Sequence, residues 1–185
     1  MIIGLTGKRG SGKDTVASHL ADKHGFSMLD FTRDVLAPIL QKQGKPVTRD
    51  NLIDLGMEGR KKAHNGVWAE KLSVIIKRRG IGDYVISGVR FVEEVETFRK
   101  LLGEDFVLVS TLCDDRTRYE RCRKRGTKGE GDLTFDQFME HEKRPTEKVI
   151  TETMKISDFV LDNNGTHEDL FSEADKVLKA LKEKR

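Results

Sequence analysis

Cysteine is scarce: Cys113 and Cys122 are the only two in 185 residues, and neither stands in a paired spacing that would ligate a metal. That excludes a disulfide framework and makes a reducing, cytoplasmic setting the expectation. Long apolar runs are missing as well. The N-terminal stretch is apolar for five residues and then meets Lys8 and Arg9, so neither a signal peptide nor a membrane span is expected there. The five histidines show no metal spacing, and His19 and His24 read as structural or surface residues of the first helix. Aromatics make up 6% and charged residues 35% of the chain, against a usual charged share of about 25%. Abundant Lys, Arg and Glu with few aromatics suit a thermophile. No charge of one sign dominates. The net charge of +3 is mildly basic and suits polyanionic small molecules as well as nucleic acid.

What is present is periodic structure on the scale of one domain, residues 1–185, without internal repeats or an interdomain linker. Residues 1–6 form a short apolar run that reads as a buried parallel strand. A helix over 12–24 follows, with Val16, Ala17, Leu20 and Ala21 as its stripe and Gly25 as its stop. Further strands are expected at 26–30, 84–86, 106–112 and 159–161. Helices are expected at 34–42, about 51–62, from Trp68 to Arg79, 91–102 and 114–125. More follow from Thr134, whose Thr134-Phe135-Asp136-Gln137 run is a capping box, then over 146–154 after a break at Pro145, and at the C-terminus. Gly56 and Gly59 weaken the 51–62 helix. The polar segment 126–132, with three glycines, is expected to be mobile. Strands alternating with helices predict a three-layer α/β fold: a five-stranded parallel sheet, helices on both faces, right-handed crossovers and a short lid.

The strongest chemical signal is Gly7-Lys8-Arg9-Gly10-Ser11-Gly12-Lys13-Asp14-Thr15. Its first seven positions fit G-x-x-x-x-G-K, between a strand and a helix. Glycines let the backbone bend around a phosphate and aim N–H groups inward, and the helix adds its positive end. All nine residues are candidate nucleotide-binding residues, for ATP or GTP, with Lys13 reaching the β- and γ-phosphates. The position after the lysine, usually a hydroxyl that ligates Mg²⁺, is Asp14, with Thr15 next. A carboxylate is also a hard oxygen ligand, so Asp14 and Thr15 are the metal candidates. Asp14 would equally favour a helix N-terminus with no metal at all.

The chain resembles the nucleoside-monophosphate-kinase-like group of P-loop kinases. Gly4-Leu5-Thr6-Gly7 through Lys13 is similar to the start of dephospho-CoA kinases. Gly12-Lys13-Asp14 resembles phage deoxynucleoside monophosphate kinase and animal phosphomevalonate kinase. The nearest overall pattern is that of archaeal adenylate-kinase-related, dephospho-CoA-kinase-like proteins, and it spans nearly the whole chain. The resemblance implies a nucleotide-monophosphate-binding insertion at about 31–80 and a lid at about 121–144. It implies acceptor roles for Asp30 and Arg33 after the second strand and a phosphate-binding Arg90 in Ser87-Gly88-Val89-Arg90. It also implies lid arginines Arg121 and Arg125, a lid-exit Arg144, and Asn163 in a base loop, although an Asn-Asn-Gly turn alone would explain Asn163 equally well. Where the family carries an acid at the end of the third strand, this chain has Ser87, so Asp14 or Asp30 is expected to substitute.

Phosphoryl transfer needs alignment, charge neutralisation and exclusion of water. Lys13, Arg121 and Arg125 are therefore assigned to the transferring group, Arg33, Arg90 and Arg144 to the acceptor, and Asp30 to orienting or deprotonating it. Arg116 and Arg118 read as a solvated helix face, and Trp68 as core or pocket wall. The expected activity is a small-molecule kinase acting on a (deoxy)nucleoside monophosphate. Dephospho-CoA is the alternative acceptor and phosphomevalonate a distant third. A nucleic-acid-associated ATPase and a nucleotide-binding regulator are the readings of another class. A small-molecule acceptor is the expected partner, and nucleic acid and membrane are not.

Overall fold

The computed structural model describes residues 1–126 and 131–184. Residues 127–130, the heart of the segment expected to be mobile, lie outside the described residues. The strands are β1 (Ile2–Thr6), β2 (Ser27–Asp30), β3 (Tyr84–Ser87), β4 (Phe106–Leu112) and β5 (Phe159–Asp162). The helices are α1 (Lys13–His24), α2 (Ala37–Lys42), α3 (Arg49–Lys62), α4 (Val67–Arg79), α5 (Val92–Leu102), α6 (Asp115–Arg125), α7 (Phe135–Glu142), α8 (Pro145–Lys155) and α9 (His167–Glu183). The sheet runs β2-β3-β1-β4-β5 with every pair parallel. The central β1 is buried along its whole length, as an apolar strand covered on both faces must be.

Alternation along the strands splits the core into two layers. Ile2, Leu29, Ile86, Phe106 and Leu108 face α4 and α5, meeting Trp68, Leu72, Val95 and Phe98. Ile3, Leu5, Val85, Val109 and Leu161 face α1 and α9, meeting Val16, Leu20, Leu170, Ala174 and Leu178. Truncating a side chain as buried as Phe98 to alanine costs about 3–5 kcal/mol. This is the expected three-layer α/β architecture. The pairings Leu5↔Ser87 and Asp30↔Ser87 align the carboxyl ends of β1, β2 and β3, so that the loop after β1 opens at the crevice where open α/β sheets hold ligands.

Two local expectations change. α3 runs unbroken through Gly56 and Gly59, and Trp68 packs against it, filling the space at Gly59 and bonding to the backbone at Gly56. A Cβ at Gly59 would stand 2.1 Å from Trp68 Cζ2. Trp68 Nε1–H donates to the Gly56 carbonyl at 3.0 Å. Each glycine costs about 1 kcal/mol of helix propensity, offset here by burial of the indole. Pro145 begins α8 at its first position, where its missing N–H costs nothing, rather than only ending the helix before it. No described helix is long and apolar enough to cross a membrane.

Candidate functional site

The loop after β1 is shaped by what lies beneath it. Gly7, Gly10 and Gly12 take φ of 148°, 77° and 96°. A Cβ at Gly7 would stand 2.4 Å from Thr111 Oγ1, at Gly10 2.8 Å from the Arg118 carbonyl, and at Gly12 2.1 Å from Asn163 Nδ2. Only glycine satisfies both the backbone and the contact. Ser11 is buried and its hydroxyl pairs with Thr111 Oγ1 at 2.6 Å. The Ser11 N–H closes a tight turn onto the Lys8 carbonyl. α1 then starts on Gly12 with no side-chain cap, so its first-turn N–H groups face the cleft without an intrahelical acceptor.

The two departures from the kinase pattern prove to be one arrangement. Ser87 Oγ–H donates to Asp14 Oδ1 at 2.5 Å. The Asp14 side chain is otherwise 70% exposed, with Oδ2 4.0 Å from Lys13 Nζ. The carboxylate missing from the end of β3 is thus supplied from the first turn of α1 and steadied by the serine. Thr15 lines the same cleft.

That cleft has a volume of about 840 Å³. Its lining includes eight cationic side chains, Arg9, Lys13, Arg49, Arg90, Arg121, Lys124, Arg125 and Arg144, against two carboxylates, Asp14 and Glu147. Such an excess makes the cleft a polyanion site. Arg121 and Arg125, four apart on α6, both line it. Arg121 also donates to the Asn163 carbonyl at 3.0 Å. It meets Cys113 Sγ at 3.3 Å as well, but burial pushes that thiol's pKa up against the guanidinium's pull. Arg90 is held from behind: its N–H donates to Glu94 Oε2 at 2.9 Å and its carbonyl accepts from Thr153 Oγ1 at 2.7 Å. Glu94 is buried, and burial raises its pKa against the Arg90 and Phe91 N–H groups and the Arg60 guanidinium. Arg144 stands at the start of α8, beside the cleft.

Other assignments need correction. Arg33 does not line the cleft. Its guanidinium donates to the Met28 carbonyl at 2.6 Å and to Asp34 Oδ2 at 2.8 Å. Asp30 does not line it either, because Oδ1 caps the following π-helical turn by accepting the Arg33 N–H at 2.9 Å. Asn163 is 2% exposed and braces the loop, donating Nδ2–H to the Ser11 carbonyl at 2.8 Å. It thus serves the phosphate loop from below and also lines the cleft. Lys8 is turned toward Glu142, 3.8 Å away, and is not in the lining.

Arg118, read as solvated, is 1% exposed. It donates to the Arg9 carbonyl at 2.9 Å and pairs with Glu142 at 2.9 Å and Asp115 at 2.5 Å. Glu142, at the end of α7, is also buried and lies 3.7 Å from Arg9. One buried arginine therefore ties α6, α7 and the phosphate loop together. Arg116 does lie on the surface, stacked on Tyr119 and Phe135. Sequence reasoning also missed Arg49. Its one signal is Thr48, which caps α3 through its hydroxyl and so sets Arg49 at a helix start.

The residues present fit a magnesium nucleotide. The loop is a cradle that any Cβ would fill, its helix end is uncapped, and Asp14 and Thr15 offer hard oxygens beside Lys13. The family of AAA domains matches residues 3–148. UPF0200 protein PH1008 of Pyrococcus horikoshii is 31% identical over 186 residues, covering 98% of this chain and 97% of its own. The UPF0200/UPF0201 protein of Archaeoglobus fulgidus is 29% identical over 184 residues, but the chain spans only 55% of its length. Among solved structures, shikimate kinase from Bacteroides thetaiotaomicron superposes with a TM-score of 0.65 at 16% identity, covering 98% of both chains. At that identity the likeness is one of fold.

Proposed function

On the premise that the chain belongs to the AAA-domain family and to the UPF0200 proteins, with a kinase-like P-loop fold, we propose an ATP-dependent kinase for a small phosphate-bearing acceptor. The acceptor that fits best is a (deoxy)nucleoside monophosphate. One observation carries this reading. The cleft gathers cations from several elements: Lys13 of the phosphate loop and the α6 residues Arg121, Lys124 and Arg125, together with Arg49, Arg90 and Arg144 carried by three others. The volume suits small molecules.

The loop and Lys13 hold the β- and γ-phosphates. Asp14 and Thr15 would hold Mg²⁺, which neutralises phosphate charge when bound. Arg121, Lys124 and Arg125 spread the charge of the moving phosphoryl group. Arg90 and Arg144 align the acceptor phosphate. One of its oxygens attacks the γ-phosphorus, the bond from that phosphorus to the β,γ-bridging oxygen breaks, and ADP leaves with the electron pair. An ionised phosphate needs no general base. The position of Asp30 outside the lining therefore favours a phosphate acceptor over the sugar hydroxyl of dephospho-CoA.

A coupled assay with Mg·ATP tests the reading against nucleoside and deoxynucleoside monophosphates, dephospho-CoA, phosphomevalonate and RNA. The expected result is stoichiometric diphosphate product from at least one monophosphate. Product from dephospho-CoA alone, or hydrolysis stimulated only by RNA, would replace it.

A further inference from the structure

The far end of α1 carries a second constellation. Its last residues lie roughly 16 Å along the helix axis from Lys13, at 1.5 Å per residue. His19 and His24 both reach Asp175 of α9, and both Nε2 atoms lie 2.7 Å from the same oxygen, Oδ1. Lys23 Nζ takes the other oxygen, Oδ2, at 2.7 Å. The three ligand atoms lie within 4.8 Å of one another. The rings are fixed by packing rather than by Asp175 alone. His19 lies flat on Phe171, with centroids 4.2 Å and planes 4° apart, and His24 meets His19 edge-on at 5.5 Å. The His19 side chain is only 7% exposed. The nucleotide cleft uses none of these groups.

Two imidazole nitrogens and a carboxylate oxygen converging on one point form the donor set of a three-residue zinc site that leaves a position for water. The place is favourable too, since a cation there faces the negative end of α1. We propose that His19, His24 and Asp175 bind a divalent transition-metal cation of the zinc class, tying α1 to α9. Binding involves no redox change. In the bound form each ring carries its proton on Nδ1 and presents the Nε2 lone pair to the cation. Lys23 is 58% exposed and can leave for solvent. While it stays on Oδ2 it opposes the cation by charge. The spacing of five along a helix conceals the pair in the sequence, and Asp175 joins it only through the packing of α9.

The test uses the full chain, stripped with a chelator and titrated without nucleotide by Co²⁺ and by Zn²⁺. Visible cobalt absorption and calorimetry are the readouts. Expected are one equivalent per chain, displacement of Co²⁺ by Zn²⁺, and a melting temperature that rises with metal. His24→Gln and Asp175→Asn should each weaken binding by about 10-fold or more, and Lys23→Ala should tighten it severalfold. Asp14→Asn should leave it unchanged, which keeps this site distinct from the nucleotide's. Absence of binding, binding indifferent to the His24 and Asp175 changes, or binding lost in Asp14→Asn would overturn the proposal. If those variants fail to fold, the histidine ¹⁵N resonances of the unmodified chain decide. Zinc must move two of the five, and shifts of one histidine, of none, or of all alike count against the site.

Discussion

The phosphate-loop wall of the cleft is held by a closed set of bonds, whereas a second wall presents exposed guanidiniums on separate elements. Behind the loop stand Thr111, Asn163 and Arg118, each bonded to a loop residue and each buried. In the second, Arg49 comes from the start of α3, Arg90 from the turn after β3 and Arg144 from the start of α8. The first wall is preorganised for one chemical group, the polyphosphate. The second has its backbone fixed at Arg90, whose half-exposed guanidinium lies 3.9 Å from Glu147, a loose pairing that an acceptor phosphate can replace. A kinase that must grip one donor and choose one acceptor is served by that division.

The largest expected effect lies in the first wall. Lys13→Ala should lower phosphoryl transfer by at least about 10³-fold with the melting temperature unchanged. Steady-state kinetics and calorimetry check both. Full activity in this variant would move the donor site elsewhere.

Next comes the brace beneath the loop. Arg118→Leu strips the Arg9 carbonyl of its donor and leaves the buried Glu142 only the more distant Lys8 and Arg9, at 3.8 and 3.7 Å, so the loss approaches the roughly 3–5 kcal/mol of a broken buried pair. Denaturant unfolding should show this loss. Adding Glu142→Leu should restore part of it, because the poorly compensated buried carboxylate goes too. If Arg118→Leu alone is neutral, the loop wall is not braced as described, and the contrast between the two walls weakens.

The second wall should respond differently. Arg90→Ala and Arg144→Ala should each raise the acceptor KM by about 10–100-fold, the worth of one hydrogen-bonded charge contact, while the KM for ATP stays put. Equal losses for donor and acceptor would mean that the cleft is one undivided polyanion site.

The same division explains what the sequence could disclose. The loop was legible because its chemistry is local: three glycines, a lysine and a following helix lie within nine residues. The strands were legible because burial on both faces requires apolar runs. Arg118 was not. On α6 it stands among Arg116, Arg121, Arg123, Lys124 and Arg125, and only the packing of α7 decides which of these is buried. Asn163 was named, but its task was not, since a turn sequence does not say which carbonyl the amide will find. Arg49 and the link from Ser87 to Asp14 join residues far apart in the chain, and no spacing records them.

The smallest expected effect is the sharpest test of the second wall. Arg33 follows β2, where resemblance to nucleotide kinases puts an acceptor ligand, yet Asp34 and the Met28 carbonyl hold its guanidinium outside the cleft. Asp34 is itself fixed, pairing also with Arg79 at 3.1 Å. Swinging Arg33 inward would break its bonds at Asp34 and Met28 and leave a mostly buried carboxylate with one partner fewer, a cost that acceptor binding would have to offset. Arg33→Ala should therefore leave the acceptor KM within about twofold, as expected for a surface change away from the site. An increase matching that of Arg90→Ala would show that the segment after β2 rearranges when acceptor enters. The acceptor wall would then be assembled by its ligand, and its difference from the prebuilt loop would be greater still.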